Sequence, residues 1–276
     1  PYGYYGPLHN NASPEDLKRF WQEANNAYLQ MGVAAEFIRF SLNPNTNEYD
    51  GQVVHTLNNI KGRILESEEA QLKAYEYNVR KNIKRARAEG LHTQFYYQHI
   101  SDEQIEEFYA IYLHTMQRNG ATDYFYFDKA VFKKYISENG THSLIATTYY
   151  QGQAIASELV LVQHDTIYSF LGGTLSQFFD KRPNHLLKHD LINWARTAGK
   201  SFFVLGGGYG ENDGIYIYKK SFFPKDVVSY YTGRKVINPH HYEALVAAAN
   251  EQRVAAGLEP LDPADQSFFP LYRKLK

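Results

Sequence analysis

The apolar and polar positions of this chain change rhythm along its length, and the changes mark out its elements. Ser13-Pro14-Glu15-Asp16 has the form of a helix start, with serine as cap, proline at the first helical position and acids in the first turn. It predicts a helix to about residue 30. Residues 33–40 alternate weakly and read as a strand, residues 52–57 as a second, and residues 61–65 as a candidate third, with the loop Asn43-Pro44-Asn45-Thr46-Asn47 between the first two. Ser67-Glu68-Glu69-Ala70 opens a long helix that ends at Gly90, and residues 92–99 read as a strand. Ser101-Asp102-Glu103-Gln104 matches a capping box. The helix it starts carries Ile105, Phe108, Tyr109, Tyr112, Leu113 and Met116 on one stripe, which reads as core, and ends near Gly120. Residues 128–138 form a further short helix.

From residue 141 the pattern sharpens. Two apolar strands meet at Gln151-Gly152, a hairpin signal in which glycine supplies a positive φ, and a third strand follows at residues 166–172. Residues 183–195 form an amphipathic helix closed by Gly199. Residues 201–205 are wholly apolar and rich in β-formers, which fits a buried central strand. Residues 213–222 read as a helix, residues 227–237 as a final strand or a hairpin broken at Thr232-Gly233, and residues 241–256 as a last helix before a loosely patterned, proline-rich tail. This order describes one mixed α/β sheet layer. A chain of 276 residues can hold either two packed units or one large α/β unit.

Composition narrows the classes. With 29 basic and 30 acidic residues the formal charge is −1, so any nucleic-acid contact must be a local patch. The absence of cysteine excludes disulfides, thiolate nucleophiles and zinc-thiolate sites. The 11 histidines show no ligand spacing, so no metal is expected. No apolar run approaches the roughly 18 residues that span a bilayer, and no signal peptide is visible, which reads as cytoplasmic. The chain opens at Pro1-Tyr2-Gly3 without an initiator methionine, which points to further residues upstream. Most of the 24 tyrosines read as core and rim, a few as groups that stack on a sugar or nucleotide.

Candidate chemistry concentrates in residues 142–222. Glu158 is a lone carboxylate in an apolar strand. It needs either a partner or the raised proton affinity of a general base, unless strand alternation turns it outward into a salt bridge. Gly206-Gly207-Gly208 follows a strand but lacks a Walker lysine, so it is no phosphate loop. Arg80, Lys81, Lys84, Arg85 and Arg87 crowd one helix end. They serve either as a solvated end that complements the dipole or as a phosphate-contacting patch for a nucleotide or an RNA end.

The element order resembles the catalytic core of the GNAT acyltransferase fold. The basic run at residues 80–87 before Gly90, Phe108-Tyr109-Ala110-Ile111-Tyr112 followed by Arg118, Leu171-Gly172-Gly173-Thr174, Pro183-Asn184, and Tyr218-Lys219 followed by Phe222 narrow the resemblance. Together they are similar to the FemAB/FemX family, the aminoacyl-tRNA-dependent transferases that build peptidoglycan cross-bridges. The resemblance implies tandem GNAT-like units, the first incomplete over residues 1–98 and the second, catalytic one over residues 99–276. It implies transfer of an aminoacyl or acyl group to an amine of a cell-envelope precursor, with aminoacyl-tRNA or acyl-CoA as donor. Lys219 matches the family's Phe-Lys lysine, with tyrosine in place of phenylalanine at 218, and is expected to bind the donor end and stabilise developing negative charge. Arg118 corresponds to an arginine that touches the acceptor's phosphate-bearing part, or else merely complements its helix. Tyr168 and Thr174 line the acceptor groove or belong to the core. Gly207 and Gly208 are expected in the substrate site, with Asn184 and Asp213 as substrate contacts or caps. One departure stands out. The glycine-rich pyrophosphate turn of CoA-binding members is replaced by residues 177–185, without glycine and with Pro183 at the helix start, although Lys181 and Arg182 could still meet phosphate. The alternatives are a CoA-dependent N-acyltransferase acting on an amino sugar or amino acid, and a non-catalytic ligand-binding homologue.

Overall fold

In the computed structural model, which describes residues 3–43 and 45–274, side-chain caps set most of the helix starts. Pro1, Tyr2 and Pro44, which belong to the opening turn and the first predicted loop, lie outside the described residues. Ser13 accepts from the Asp16 amide, and α1 runs Pro14–Gln30. β1 (Ala35–Arg39) is followed by β2 (Gln52–Arg63), one unbroken strand where the sequence suggests two short ones. The polar Asn58-Asn59 step stays in strand geometry, and Asn59 is buried.

The long helix expected up to Gly90 is in fact two, α2 (Glu68–Ala74) and α3 (Tyr77–Ala88), parted at Tyr75, whose backbone is extended (ψ 153°). The break sinks the Tyr75 ring into the core, edge-on to Phe222. The Glu76 amide then donates to the Ser221 carbonyl (2.9 Å), and the Arg80 guanidinium donates to the Leu72 and Tyr75 carbonyls that the break frees. Next come β3 (His92–Tyr97), α4 (Asp102–Arg118) with the predicted capping box between Ser101 and Gln104, and α5 (Lys129–Glu138), capped by Asp128. β4 (Ser143–Tyr150) and β5 (Gln153–Val162) join through Gln151 (φ 50°) and Gly152 (φ 80°), both positive as a two-residue hairpin turn of this hand demands.

β6 (Thr166–Thr174), α6 (Pro183–Thr197), β7 (Phe202–Gly206), α7 (Gly214–Phe222), β8 (Val227–Val236) and α8 (Pro239–Ala255) complete the order. β8 runs straight through Thr232-Gly233, where a break was one expectation, because those residues pair with Arg39 and Ile38 of β1.

The chain divides into two units, Asn59–Val228 and Pro1–Asn58 with Ser229–Lys276. The boundary expected after residue 98 falls inside the first of these. β3 pairs with β4 from His92↔Tyr149 to Tyr97↔Leu144, which binds it to the strands that follow it. In the unit Asn59–Val228 the strand order is β2-β7-β6-β5-β4-β3, antiparallel except for β6 and β7. One core gathers Val79, Ile83, Leu186, Leu191 and Ile192 of α3 and α6 with Ala156, Val160 and Phe203 of the sheet. A second places Phe108, Tyr112, Phe132 and Ile136 of α4 and α5 with Ile145 and Leu159. Each such large apolar side chain contributes about 1.5–3 kcal/mol on burial. β4 and β5 are buried almost throughout because they supply both cores.

The other unit has the order β1-β8-β2 and a small core of Trp21, Ile38, Phe40 and Tyr49. Among the described residues no helix is long and apolar enough to cross a membrane.

Candidate active site

β6 and β7, the one parallel strand pair among the described residues, are joined over only three positions: Thr166↔Phe202, Ile167↔Phe203 and Tyr168↔Val204. β6 runs on to Thr174 against β5, so the sheet opens past Tyr168, the last position at which β6 and β7 pair. α6 starts at this opening, since the Thr174 hydroxyl donates to Asn184 Oδ1 in its first turn (2.5 Å). A divergence of this kind, beyond the carboxyl ends of parallel strands, is where α/β sheets admit ligands.

A buried ion pair floors the opening. Glu158 lies mid-strand in β5, 5% exposed, and faces α6. Lys188 of α6, 8% exposed, donates to both of its carboxylate oxygens (2.5 Å each) and to Ser169 Oγ (3.0 Å). Three acceptors thus match the three donors of the ammonium. Of the readings open to Glu158, the structure shows the paired one. The Phe203 ring lies 5.4 Å from the ammonium. Lys188 was not among the sequence candidates, although a signal existed. It shares a helix face with Ile192 and Ala195, one and two turns on, so a charge sits on the apolar stripe just as Glu158 sits in an apolar strand.

Lys219, half-buried on α7, donates to the Gly207 carbonyl (2.6 Å). Burial, and then the Lys188 charge, push its pKa down to about 8, against the pull of Glu158 and Asp213. A lysine so placed is a far better proton donor near neutrality than a solvated one. The neighbouring Tyr218 donates to the Asn184 carbonyl (3.0 Å), and burial pushes its phenol up. Its ring is edge-on to those of His185 and Phe222. His185, whose Nε2 meets the Asn82 amide nitrogen (3.1 Å), is pushed down to about 4 by burial and the Arg182 charge, and is therefore neutral.

Asp213 caps α7. Its carboxylate accepts from the amides of Tyr216 (2.7 Å), Tyr209 (2.5 Å) and Gly210 (3.2 Å), and these bonds, Tyr216 foremost, hold it below the usual carboxylate range. Gly208 makes room for it, since a Cβ there would lie 2.1 Å from Asp213 Oδ1. Asp213 and Gly208 therefore build the loop that presents the Gly207 carbonyl to Lys219.

Arg118, at the end of α4, donates to the Thr174 carbonyl (2.7 Å) and lies over the Phe179 ring, and burial pushes its pKa down. Thr174 is buried, and its amide donates to Thr115 Oγ1 (3.1 Å). The glycine before it permits this approach of helix to strand, because a Cβ at Gly173 would lie 2.1 Å from that oxygen. Asn184, expected as a substrate contact or a cap, ties β6, α6 and α7 together. Tyr168 sits on the paired stretch of β6, half-buried, its phenol pushed up by burial.

The basic residues of α3 differ in their contacts. Arg80 is turned to backbone carbonyls, Arg85 pairs with Glu89 (3.3 Å) and Arg87 with Glu68 (3.0 Å), while Lys81 and Lys84 are exposed. Glu89 also binds Lys181 (2.6 Å). Among the described residues no group of three or more His, Asp or Glu gathers as around a metal.

No curated protein matches the sequence. The fold is similar to that of FemX, with a TM-score of 0.64 at 13% identity over 84% of this chain and 78% of that one. It is also similar to the C-terminal domain of a putative lysylphosphatidylglycerol synthetase from Agrobacterium fabrum (TM-score 0.57, 13% identity, 86% of this chain and 78% of that one). L-PGS from Bacillus licheniformis is a third likeness (TM-score 0.55, 13% identity, 79% and 72%). A family model described as an acetyltransferase (GNAT) domain matches residues 73–220, just over half of the chain, and the chain thus belongs to the GNAT acyltransferases.

Proposed function

We propose that this GNAT acyltransferase is of FemAB type and moves an aminoacyl group onto an amine of a cell-envelope precursor. The observation that carries the reading is Lys219, an ammonium of lowered proton affinity held by the Gly207 carbonyl where β6 and β7 part. The acceptor nitrogen attacks the acyl carbonyl, the C–N bond forms, and the ester C–O bond of the donor breaks. Protonated Lys219 stabilises the charge that develops on the leaving oxygen and gives it a proton, while the nitrogen loses its own to solvent. The transfer is direct, without a covalent enzyme intermediate, since the chain has no cysteine and its sequence shows no Ser-His-Asp signature, and the work is positioning and electrostatics.

The start of α6 supports a donor other than CoA. Pro183 has no amide hydrogen and the His185 amide donates to the Arg182 carbonyl (3.1 Å), so two of its first three positions offer nothing to a pyrophosphate. Exposed Lys81 and Lys84 on α3 suit the phosphates of a tRNA. CoA-dependent N-acyl transfer is the second reading, favoured by the description of the matching family as acetyltransferases.

The test supplies aminoacylated tRNA or acetyl-CoA as donor and a muramyl-peptide precursor as acceptor. Turnover with charged tRNA that falls at least about 100-fold in Lys219→Met is the expected result. Unchanged turnover in that variant refutes the role of Lys219, and stoichiometric calorimetric binding of acetyl-CoA selects the second reading.

A further inference from the structure

A cavity of about 540 Å³ lies in the unit formed by Pro1–Asn58 and Ser229–Lys276, and the transfer chemistry described above makes no use of it. Its size is that of a small-molecule site. The cavity exists because of how α8 is placed. Tyr242, Val246 and Asn250, each one turn on from the last, share the helix face that lines it, yet no residue of α8 is buried. Across the space, Arg234 and Val236 stand two apart on β8 and so share one face of that strand, while Phe268 and Phe269 line another side. The walls are tied in place. The Tyr242 hydroxyl accepts from the Leu271 amide (3.0 Å), Asn250 Oδ1 accepts from the Leu261 amide (2.7 Å), and the Tyr242 ring stacks on Phe269 at 5.9 Å.

Arg234 is the basic side chain of this lining. It is half-buried, its Nη1 donates to the Gln266 carbonyl (2.6 Å), and its Nε is buried without a partner. A guanidinium carries five N–H donors, so a single carbonyl leaves most of them unanswered. Two carboxylates also line the cavity, but neither forms a salt bridge with Arg234. Asp265 is bound to Lys274 (2.6 Å), and Glu243 is exposed on α8. A cation set among aliphatic and aromatic walls suits an anion that brings an apolar body of its own, because burying the charge then costs least when it is paired.

We propose that this cavity binds a small carboxylate with an apolar body, the carboxylate on the Arg234 guanidinium and the body between Val246 of α8 and the rings of Phe268 and Phe269. The planar fork of arginine matches a carboxylate with two parallel hydrogen bonds, and each is strengthened by the charges. An alcohol of the same length gains the apolar contacts alone, and an ammonium of the same length is repelled. The inference does not depend on the role given to Lys219.

The probe is octanoate, titrated by calorimetry into the full chain, with octanol and octylammonium as controls and amide chemical shifts to locate the site. Octanoate is expected to bind about tenfold or more tightly than octanol, the factor supplied by hydrogen bonds to a charged group, and octylammonium more weakly than either. Its shifts should fall on β8, α8 and residues 263–271. Arg234→Met should bring octanoate down to the affinity of octanol and leave octanol unchanged. Val246→Trp fills the cavity and keeps the guanidinium, so it should weaken octanoate and octanol together, and it carries the test should Arg234→Met fail to fold for want of its bond to Gln266. Octanoate that binds no more tightly than octanol, binding undiminished in a folded variant, or shifts centred elsewhere overturns the proposal. A guanidinium that only anchors Gln266 would lower stability in Arg234→Met and leave the difference between octanoate and octanol intact, which also overturns it. The readout needs no turnover, so failure here is distinct from a failure of Lys219→Met to affect transfer.

Discussion

Replacing Lys188 by methionine keeps most of the aliphatic stem and deletes the charge that holds Glu158. At a separation of 2.5 Å and an effective dielectric constant of about 20, the attraction between the two groups is roughly 6–7 kcal/mol. Desolvation costs several kcal/mol for each ion, so the intact pair nets little. Breaking it is another matter, because Glu158 is 5% exposed and then has no ammonium to answer it. Lys188→Met is therefore expected to lose about 3–5 kcal/mol of stability. Replacing both, as Glu158→Leu with Lys188→Met, removes the penalty together with the gain, and that protein should lie within about 1 kcal/mol of wild type or above it. Urea unfolding of the four proteins gives the comparison, read as midpoints at unchanged slope, and the cycle isolates the coupling. A double variant as destabilised as the sum of the singles would mean that the two groups do not act as a buried pair, and would refute this account of them.

Two further outcomes test other parts of the site. Gly208→Ala should displace the Asp213 carboxylate, since the new Cβ would meet it at 2.1 Å, and so release the Tyr209, Gly210 and Tyr216 amides. Faster hydrogen exchange at those three amides and reduced turnover, with core amides still protected, is the expected pattern, and unchanged exchange would dissociate Gly208 from the cap. Lys81→Glu with Lys84→Glu should weaken tRNA-dependent turnover and lower the slope of log affinity against log salt by about one for each tRNA phosphate that is no longer neutralised, while acetyl-CoA binding stays the same. An equal loss at every salt concentration would take α3 out of the donor's path.

What the sequence determined by itself is local. The starts of α1, α4, α5 and α7 were legible because a cap is a contact over two or three residues: Ser13 to Asp16, Ser101 to Gln104, Asp128 to Ala130, Asp213 to Tyr216. The hairpin at Gln151-Gly152 was legible because positive φ is a property of the turn residues. The apolar runs of β4 and β5 announced strands, and that of β7 a buried central strand. Their order, with its GNAT resemblance, pointed to the mixed α/β fold, and the resemblance singled out Lys219.

Tertiary structure decided whatever depends on a distant partner. The helix expected to reach Gly90 breaks at Tyr75 because a core pocket takes that ring and the Ser221 carbonyl takes the next amide, both from α7. Arg80, basic in the sequence, is consumed by the carbonyls that this break exposes. β8 stays whole through Thr232-Gly233 because β1 pairs with it there, and β3 stays with the strands that follow it because it is hydrogen-bonded to β4. Glu158 alone announced a buried charge, but its partner lies thirty residues on, along a different element. A charge in a core is neutralised by whichever group the fold brings within reach, and that choice belongs to the packing of α6 on β5.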